Sequence, residues 1–390
     1  MKILLVSHTC MSRTAGQPKL HRLAAFPDIE LTALVPDRMC FYHGKWETAE
    51  TPENPAFRFV VGRARWQYVG KQWYLQHYPD ALRRLLRETR FDVVDFWQEP
   101  WSLVSAQGVW LTRRLCPQAK IILETEQNIY KRLPPPFQQF QDYTLKRADL
   151  MVARNREAAE VLRRKGYRGP VRLVPNAVDC ELFTPRSEGE REQSRAALGW
   201  GGPEDFVVGY VGRLVPEKGL AEAVEALAHL PQAARLVFVG EGPMRAELET
   251  LAQAHGVAER VRFAGGIPLD AMPQAIKAMD VLILPSRTTA RWKEQFGRVL
   301  IEAGACGVAV VGSDSGAIPE VVGEAGLIFP EGDSAALAER LNRLLCDTAL
   351  RARCGQIGRE RAETEFSWQC VAARMRALYH EVLNREVVAP

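Results

Sequence analysis

Short apolar runs alternate with amphipathic helical patterns along the whole chain, and this alternation restricts the possible folds more than any other feature. The first runs occupy residues 2–6, 29–35, 57–61, 93–96, 121–123, 150–153 and 171–174. Runs of this length without polar alternation are typical of strands that are buried on both faces. Helical patterns, such as those of residues 78–89 and 156–165, separate several of the runs. This order predicts a parallel sheet covered by helices on both sides.

A second series of the same kind follows a turn-rich, charged stretch over residues 183–203. Its apolar runs occupy residues 206–211, 235–239, 260–263, 281–284 and 308–311, and an amphipathic pattern closes the chain. The sequence therefore predicts an α/β protein with two Rossmann-like, doubly wound domains, residues 1–183 and 184–367, and a last helix over residues 368–386. Two such domains facing one another would form a central cleft at the carboxyl ends of their strands, where open α/β sheets bind ligands.

The composition favours a cytoplasmic globular protein. Hydrophobic residues make up 47% and charged residues 25% of the chain, and no apolar run approaches the roughly 18–20 residues of a membrane span. The first run meets Ser7 and His8 too soon for the apolar core of a signal peptide. None of the eight cysteines forms a C-x-x-C pair or shows zinc spacing, so we expect reduced thiols in the cytoplasm.

The charges are divided unequally between the two halves. Residues 1–184 carry 28 Lys and Arg against 19 Asp and Glu, a net +9, whereas residues 185–390 carry 23 against 28, a net −5. A basic first half indicates an anionic partner, such as a phosphate-bearing substrate or an acidic lipid surface. Because the excess is spread over the half and not gathered in one basic run, we do not expect nucleic acid as a partner.

A glycine and two cations follow the first strand of the second series, in the stretch from Gly212 through Arg213 to Lys218. This stretch fits neither the G-x-G-x-x-G dinucleotide pattern nor a P-loop, so hydride transfer and P-loop hydrolysis are excluded. An open backbone, a guanidinium and an ammonium are the groups that bind a diphosphate. Two solvated loop cations would give the same pattern.

Two glutamates, Glu294 and Glu302, lie eight residues apart with Gly297 between them. If Glu294 precedes a helix and Glu302 lies in its second turn, both carboxylates can face one ligand. The amides around Phe296 and Gly297 would then form an anion-binding helix N-terminus. Carboxylates can accept hydrogen bonds from sugar or ribose hydroxyls. Two surface glutamates are the alternative interpretation.

The two glutamates match the E-x7-E motif of the retaining glycosyltransferases of family four, also called glycosyl transferases group 1, which have the GT-B fold. Further segments that resemble this family cover residues 173–179, 236–243, 278–286 and 312–320. Residues 366–368 resemble the lead into a terminal helix that crosses back to the N-terminal domain. The resemblance extends from about residue 150 to the end of the chain.

The resemblance implies a retaining, metal-independent transfer from a nucleotide-diphosphate sugar, needing no other cofactor, to a glycan or glycolipid acceptor in polysaccharide or cell-envelope biosynthesis. The predicted catalytic residues are Glu294, which would hold the donor sugar, and Arg213 and Lys218, which would neutralise the diphosphate. The predicted donor-binding residues are Gly212, Gln295, Phe296, Gly297, Arg298, Glu302 and Ile267. The chain has no Asp-x-Asp pair that could hold a divalent cation.

The N-terminal half resembles the family less closely. A single glycine, Gly16, stands where relatives often carry a Gly-Gly pair, and either an approaching substrate or a simple turn would explain it. Gln127 occupies the place of a histidine that many relatives have near the donor sugar, and we therefore assign no catalytic histidine. The predicted acceptor-binding or sugar-proximal residues are Gly16, Gln98, Glu99, Gln127 and Asn128.

Residues 63–74 and 131–137 mix cations with aromatic side chains on the basic half. Such surfaces suit an anionic bilayer or a polyprenyl-diphosphate acceptor, although ordinary solvated loops share this composition. The expected partners are a nucleotide-sugar donor and a glycan or lipid-linked acceptor. Peripheral association with the inner face of an anionic cell membrane is a further hypothesis. A catalytically degenerate nucleotide-sugar-binding protein and a GT-B sugar-nucleotide epimerase are the alternative functions.

Overall fold

The computed structural model describes residues 1–40, 46–66, 73–187 and 189–384. The chain divides into two compact units. Unit 1 comprises Met1–Pro175 together with Trp368–Pro390, and unit 2 comprises Asn176–Ser367. The division therefore falls before the boundary that we expected after residue 183. The last two residues of the predicted terminal helix, 385 and 386, lie outside the described residues.

Unit 1 is built on a seven-stranded sheet of order β5-β2-β1-β6-β7-β8-β9 in which every pairing is parallel. A short antiparallel pair, β3 and β4, lies outside this sheet. The strands are β1 (Lys2–Val6), β2 (Glu30–Pro36), β3 (Arg38–Cys40), β4 (Trp46–Thr48), β5 (Arg58–Gly62), β6 (Val93–Phe96), β7 (Lys120–Thr125), β8 (Leu150–Ala153) and β9 (Val171–Leu173). The helices are α1 (Gln17–Ala24), α2 (Ala81–Glu88), α3 (Leu103–Leu115), α4 (Phe137–Leu145), α5 (Arg156–Arg164) and the C-terminal helix (Trp368–Val382).

Unit 2 contains a six-stranded parallel sheet of order β12-β11-β10-β13-β14-β15. Its strands are β10 (Phe206–Val211), β11 (Ala234–Val239), β12 (Val261–Gly265), β13 (Val281–Leu284), β14 (Ala309–Ser313) and β15 (Gly326–Phe329). Its helices are α6 (Glu190–Leu198), α7 (Leu220–Ala228), α8 (Arg245–Ala254), α9 (Met272–Lys277), α10 (Arg298–Ala305), α11 (Ile318–Val322), α12 (Ser334–Cys346) and α13 (Thr348–Arg361). The predicted fold class, an α/β protein with two Rossmann-like domains, is confirmed.

The central strands of both sheets are buried on both faces, as their apolar composition predicted. Every residue of β6, β8 and β13 is buried. In unit 2, α10 packs against α13 at glycines: a Cβ atom on Gly304 would lie 3.0 Å from the Gly358 carbonyl oxygen, and one on Gly355 would lie 2.3 Å from that of Gly307. This close approach fixes the position of α10, which carries Glu302.

The C-terminal helix joins unit 1 through polar contacts. The buried Tyr379 hydroxyl donates to Asp95 Oδ2 at 2.7 Å, and Arg376 Nε donates to Asp28 Oδ1 at 2.9 Å. Asp95 lies on β6 and is fully buried, and burial followed by the charge of Glu124 raises its pKa to about 7. Within the part of the chain that the structure describes, no helix is both long and apolar enough to cross a bilayer.

We predict that Tyr379→Phe destabilises unit 1. The change leaves Asp95 Oδ2 without its buried donor, and losing one partner of a buried hydrogen bond costs about 1–3 kcal/mol. Thermal unfolding followed by calorimetry should show a lower transition temperature than in the wild type. Tyr143→Phe is the matched control. The half-buried Tyr143 contacts Arg147 through the face of its ring, and this contact does not involve the hydroxyl group. Equal effects of the two substitutions would contradict the prediction.

Candidate active site

A lysine and a glutamate from two different loops of unit 2 form a direct ion pair. Lys218 ends the 3₁₀ turn Pro216–Lys218 that follows β10, and Glu294 lies in the loop between β13 and α10. Lys218 Nζ lies 2.5 Å from Glu294 Oε2, and the side chains are only 15% and 10% exposed. Ser286 Oγ donates to the same carboxylate oxygen at 2.9 Å. The structure thus brings together two of the three predicted catalytic residues.

The backbone of Glu294 is held by the segment that follows β14. Ala317 N donates to the Glu294 carbonyl oxygen at 3.1 Å. Gly316 has a φ of +57°, and a Cβ atom there would lie 2.1 Å from the same oxygen. Ser313 Oγ donates to the Ser286 carbonyl oxygen at 2.5 Å. The residues at the end of β14 therefore fix the backbone of Glu294, which pairs with Lys218, and of Ser286, which donates to Glu294.

The loop that carries Lys218 also approaches the end of β13 closely. Gly219 has a φ of +62°, and a Cβ atom there would lie 2.0 Å from the Pro285 carbonyl oxygen. Arg287 N donates to the Glu217 carbonyl oxygen at 2.9 Å. Lys218 Nζ lies 4.7 Å from the centre of the Trp292 ring, a cation–π contact. These contacts give the ammonium a fixed, partly desolvated position.

Arg213, the third predicted catalytic residue, lies on the same side of unit 2 but is open to solvent. Its side chain is 60% exposed and lies 3.9 Å from Glu217 Oε1. The Tyr210 hydroxyl donates to the Arg213 carbonyl oxygen at 2.9 Å, and a Cβ atom on Gly212 would lie 2.7 Å from that hydroxyl. Burial, followed by the charge of Glu294, raises the pKa of Tyr210. Tyr210 therefore lies beneath the predicted diphosphate loop and within electrostatic range of Glu294.

Helix α10 begins after Gly297, whose φ is +82°, and has no side-chain cap. Phe296 is buried against Phe366, whereas Gln295 and Arg298 are exposed. Glu302 lies in the second turn, as expected, and Arg298 Nη2 lies 3.7 Å from its Oε1. Burial raises the pKa of Glu302, and the charge of Arg298 opposes this shift. Among the described residues, Glu302 makes no hydrogen bond or ion pair with Lys218 or Glu294.

Ile267 lies after an outer strand of the sheet, away from the strands that carry the ion pair. It follows β12, which is separated from β10 by β11, and it packs half-buried against the core of unit 2. A groove of about 530 Å³ lies beside Lys218 instead. The groove is lined by Pro216, Glu217, Arg287, Thr288, Thr289, Trp292, Glu331 and Gly332. Unit 2 therefore offers an open groove next to its buried ion pair.

In unit 1, the structure brings the predicted residues after β6 and β7 together. Glu99 Oε2 accepts a hydrogen bond from Thr125 Oγ1 at 2.8 Å, and Glu99 Oε1 accepts one from Glu126 N at 2.7 Å. The Gln127 side-chain oxygen accepts from Lys165 Nζ at 2.5 Å. Glu99 thus braces the turn that carries Gln127.

The other three predicted residues of unit 1 make contacts within that unit. Gln98 Oε1 lies 2.9 Å from His8 Nδ1, and Asn128 Nδ2 donates to Glu157 Oε2 at 3.1 Å. A Cβ atom on Gly16 would lie 2.6 Å from the Thr9 carbonyl oxygen, so close packing within the loop requires this glycine. A role of these residues in substrate binding stays a prediction.

Comparison with known proteins identifies the family. Residues 190–361 match the family described as "Glycosyl transferases group 1", and residues 39–182 match "Glycosyltransferase Family 4". The chain belongs to the group 1 glycosyltransferases. The recognition made from the E-x7-E motif is thereby confirmed.

Curated relatives of this glycosyltransferase act in lipid and small-molecule glycosylation, according to their names. One is the GDP-mannose-dependent monoacylated alpha-(1-6)-phosphatidylinositol monomannoside mannosyltransferase of Corynebacterium glutamicum, 34% identical over 52% of this chain and 54% of that protein. Another is the D-inositol 3-phosphate glycosyltransferase of Corynebacterium jeikeium, 33% identical over 60% of this chain and 58% of that protein. The chain thus spans little more than half the length of these relatives in alignment.

A solved structure, the sucrose-phosphate synthase from Thermosynechococcus elongatus, has the same fold. It is 24% identical in sequence, the match covers 98% of this chain and 99% of that chain, and the TM-score is 0.72. The GT-B fold that we predicted for this glycosyltransferase is confirmed.

The structure places several further residues of the glycosyltransferase beside the predicted ones. In unit 2 these are Ser286 and Trp292, and in unit 1 they are His8 and Lys165. Ser286 and His8 each follow a strand closely, a signal that could have found them. Lys165 follows a helix, and nothing in its neighbourhood along the chain indicates its contact with Gln127.

We predict that Glu99→Gln changes how the stability of this glycosyltransferase depends on pH. Burial raises the pKa of Glu99 to about 7 from 4.5, so between these values the folded state binds a proton that the unfolded state does not. The wild type therefore loses stability as the pH rises through this window, and the glutamine variant lacks this loss. A glutamine can still accept from Glu126 N and donate to Thr125 Oγ1.

Urea unfolding at pH 5 and pH 8 measures this effect. From pH 5 to pH 8, the free energy of unfolding of Glu99→Gln should rise relative to that of the wild type by on the order of 1–3 kcal/mol. Glu160→Gln, at an exposed position on α5, is the matched control. The same dependence in the wild type and in Glu99→Gln would contradict the prediction.

Proposed function

We propose that this glycosyltransferase moves a sugar from a nucleotide-diphosphate sugar to a glycan or lipid-linked acceptor, with retention of the anomeric configuration and without a metal ion. The observation that carries the proposal is the buried Glu294 carboxylate, which pairs with Lys218 and accepts a hydrogen bond from Ser286, beside the exposed guanidinium of Arg213. The names of the curated relatives, which include a GDP-mannose-dependent mannosyltransferase, support a nucleotide-sugar donor.

The proposed chemistry relies on charge stabilisation in the leaving group. The bond between the anomeric carbon and the diphosphate oxygen breaks, and its electron pair stays on that oxygen. The acceptor hydroxyl oxygen forms the new bond on the same face of the sugar, and its proton passes to the departing phosphate oxygen. Lys218 and Arg213 would neutralise the developing negative charge, and the partly desolvated Lys218 would act more strongly than the exposed Arg213. No general base from the protein is then needed.

The two glutamates have separate proposed roles in donor binding. Glu294, together with the backbone of Gln295, Phe296 and Gly297, would hold the donor sugar, and Glu302 would accept hydrogen bonds from the ribose hydroxyls. Glu294 also holds Lys218 in place through its 2.5 Å contact. Two cations in place of a divalent metal agree with the absence of an Asp-x-Asp pair from the sequence.

We predict that Lys218→Met and Glu294→Gln each lower kcat/KM for sugar transfer by about 10²–10³-fold, the usual cost of removing one charge-stabilising group. A thermal-shift screen with UDP-, GDP- and ADP-sugars first identifies the donor, since a ligand that binds the folded state raises its unfolding temperature. Release of the nucleoside diphosphate in the presence of acceptor then measures turnover. Glu324→Gln, at an exposed position after α11, is the matched control.

The outcomes separate the alternative functions. Wild-type protein that binds one nucleotide sugar but neither transfers nor hydrolyses it would indicate a degenerate binding protein. Conversion of the nucleotide sugar into its epimer would indicate an epimerase. Unchanged transfer by Glu294→Gln would overturn the proposed site.

We also propose that unit 1 associates peripherally with anionic membrane at the inner, cytoplasmic face, where a lipid-linked acceptor would lie. Arg63, Arg65 and Trp66 are exposed, the last by 56%, and Lys131 and Arg132 are exposed on a second segment. Cations beside an exposed indole ring suit a bilayer interface. Residues 67–72 of the first basic segment lie outside the described residues.

We predict that the protein co-sediments with vesicles that contain phosphatidylglycerol and not with vesicles of phosphatidylcholine alone. Raising the salt concentration should release it, because each cation near an anionic surface contributes about 1 kcal/mol that salt screens. The double variant Arg63→Glu/Arg65→Glu should bind more weakly. Arg353→Glu, at an exposed position of unit 2, is its control. Absence of salt-sensitive binding in the wild type would rule out this association.

A further inference from the structure

A lysine at the end of α5 contacts two uncharged side chains and forms no ion pair among the described residues. Lys165 Nζ donates to Gln127 Oε1 at 2.5 Å and to Gln141 Oε1 at 2.8 Å. Gln141 lies on α4 and is 2% exposed, and Gln127 is half-buried in the turn after β7. The Lys165 ammonium is therefore held by two amide oxygens, one of which belongs to Gln127, a predicted substrate-binding residue.

The chemistry of an ammonium determines how the Gln127 carboxamide is oriented. A protonated lysine has three N–H donors and no acceptor, so only the side-chain oxygen of Gln127 can face it. The Gln127 amide nitrogen then points away from Lys165. This nitrogen makes no hydrogen bond within the described residues and is not among their buried polar atoms. It is therefore an available donor of two hydrogen bonds.

The backbone of Gln127 is fixed as firmly as its side chain. Gln127 N donates to Thr125 Oγ1 at 3.2 Å, and that hydroxyl donates to Glu99. Glu126 N donates to the other oxygen of the same carboxylate. Because both backbone and carboxamide are held before a ligand arrives, little freedom is lost when Gln127 binds one.

We propose that Lys165 is a positioning residue that presents the Gln127 carboxamide as a hydrogen-bond donor to an oxygen atom of a substrate in the sugar transfer. This inference rests on the proposed function, and it specifies that Gln127 donates the hydrogen bond and the substrate accepts it. The substrate atom must accept hydrogen bonds, as a sugar hydroxyl or a phosphate oxygen does. That oxygen can belong to the donor sugar or to the acceptor, and kinetics with each substrate distinguish the two.

The orientation of the Gln127 carboxamide depends on pH, because it requires Lys165 to be protonated. Burial is the largest influence and lowers the pKa of Lys165 to about 8. The charge of Glu99 opposes this shift, that of Lys131 adds to it, and that of Asp142 on α4 opposes it. Above this value the neutral amine can also accept a hydrogen bond, so the Gln127 oxygen is no longer forced to face it. Transfer activity should therefore fall above about pH 8 in the wild type. In Lys165→Arg the fall should be absent, because a guanidinium stays protonated.

Gln127→Glu is the decisive substitution. A glutamate keeps the shape of the side chain and can pair with Lys165, but it has lost both amide hydrogens. We expect kcat/KM for transfer to fall about tenfold or more, since one hydrogen bond to substrate is lost and an anion replaces the donor. A rise in KM for the nucleotide sugar would assign the bonded oxygen to the donor, and a rise in KM for the acceptor would assign it to the acceptor. Lys146→Met, at an exposed lysine just after α4, is the control.

The double variant Lys165→Met/Gln127→Ala tests whether the two residues act as one unit. If Lys165 acts through Gln127, the double variant should be no more impaired than the worse single variant. Thermal unfolding of each variant verifies that unit 1 is folded. If the methionine variant is not folded, Gln127→Glu and the pH profile of Lys165→Arg still test the inference. The inference is overturned if Gln127→Glu keeps kcat/KM within twofold of the wild type, if the losses multiply, or if Lys165→Arg keeps the fall above pH 8. Loss of transfer in Glu294→Gln in the same assays would leave the proposed function intact.

Discussion

The parallel sheets determine where this protein can place polar chemistry. Strands that are buried on both faces accept few charged side chains, and most polar groups of the candidate sites lie in the loops at the carboxyl ends of the strands. In unit 2, Arg213 follows β10 and both Ser286 and Glu294 follow β13. In unit 1, Glu99 follows β6 and Gln127 follows β7. Neighbouring strands that point the same way then bring residues that are distant in sequence into contact.

Glycines decide how closely these loops approach one another in unit 2. Gly219 and Gly316 both have positive φ, and each would place a Cβ atom about 2 Å from a carbonyl oxygen of the neighbouring loop. Any side chain would separate the loops and lengthen the contact between Lys218 and Glu294. The ion pair thus depends on two glycines that carry no chemistry themselves, and its geometry is set by backbone packing.

Apolar runs predicted the strands well because burial on both faces leaves a strong local pattern, as at residues 93–96 and 281–284. The three-residue strands β3 and β4 and the strand β15, which is half-exposed and begins with Gly326, lack such a pattern. In the site, the motif spacing found Glu294, and the structure shows its contact with Lys218, 76 residues away. The contact of Lys165 with Gln127 spans 38 residues and joins a helix end to a turn, so no local pattern could reveal it.

The charged groups near the candidate sites differ between the two units. In unit 1, Glu124 is enclosed between Lys19, at 2.6 Å, and Arg154, and all three side chains are at most 2% exposed. Ion pairs this deeply buried satisfy one another and leave little charge for a ligand. The group that Gln127 offers there is a neutral donor. In unit 2, Arg213 is exposed and Lys218 has a single carboxylate as its ion-pair partner among the described residues. Under the proposed function, unit 2 would bind the donor diphosphate through fixed positive charge, whereas Gln127 in unit 1 would bind a substrate oxygen through a neutral hydrogen-bond donor.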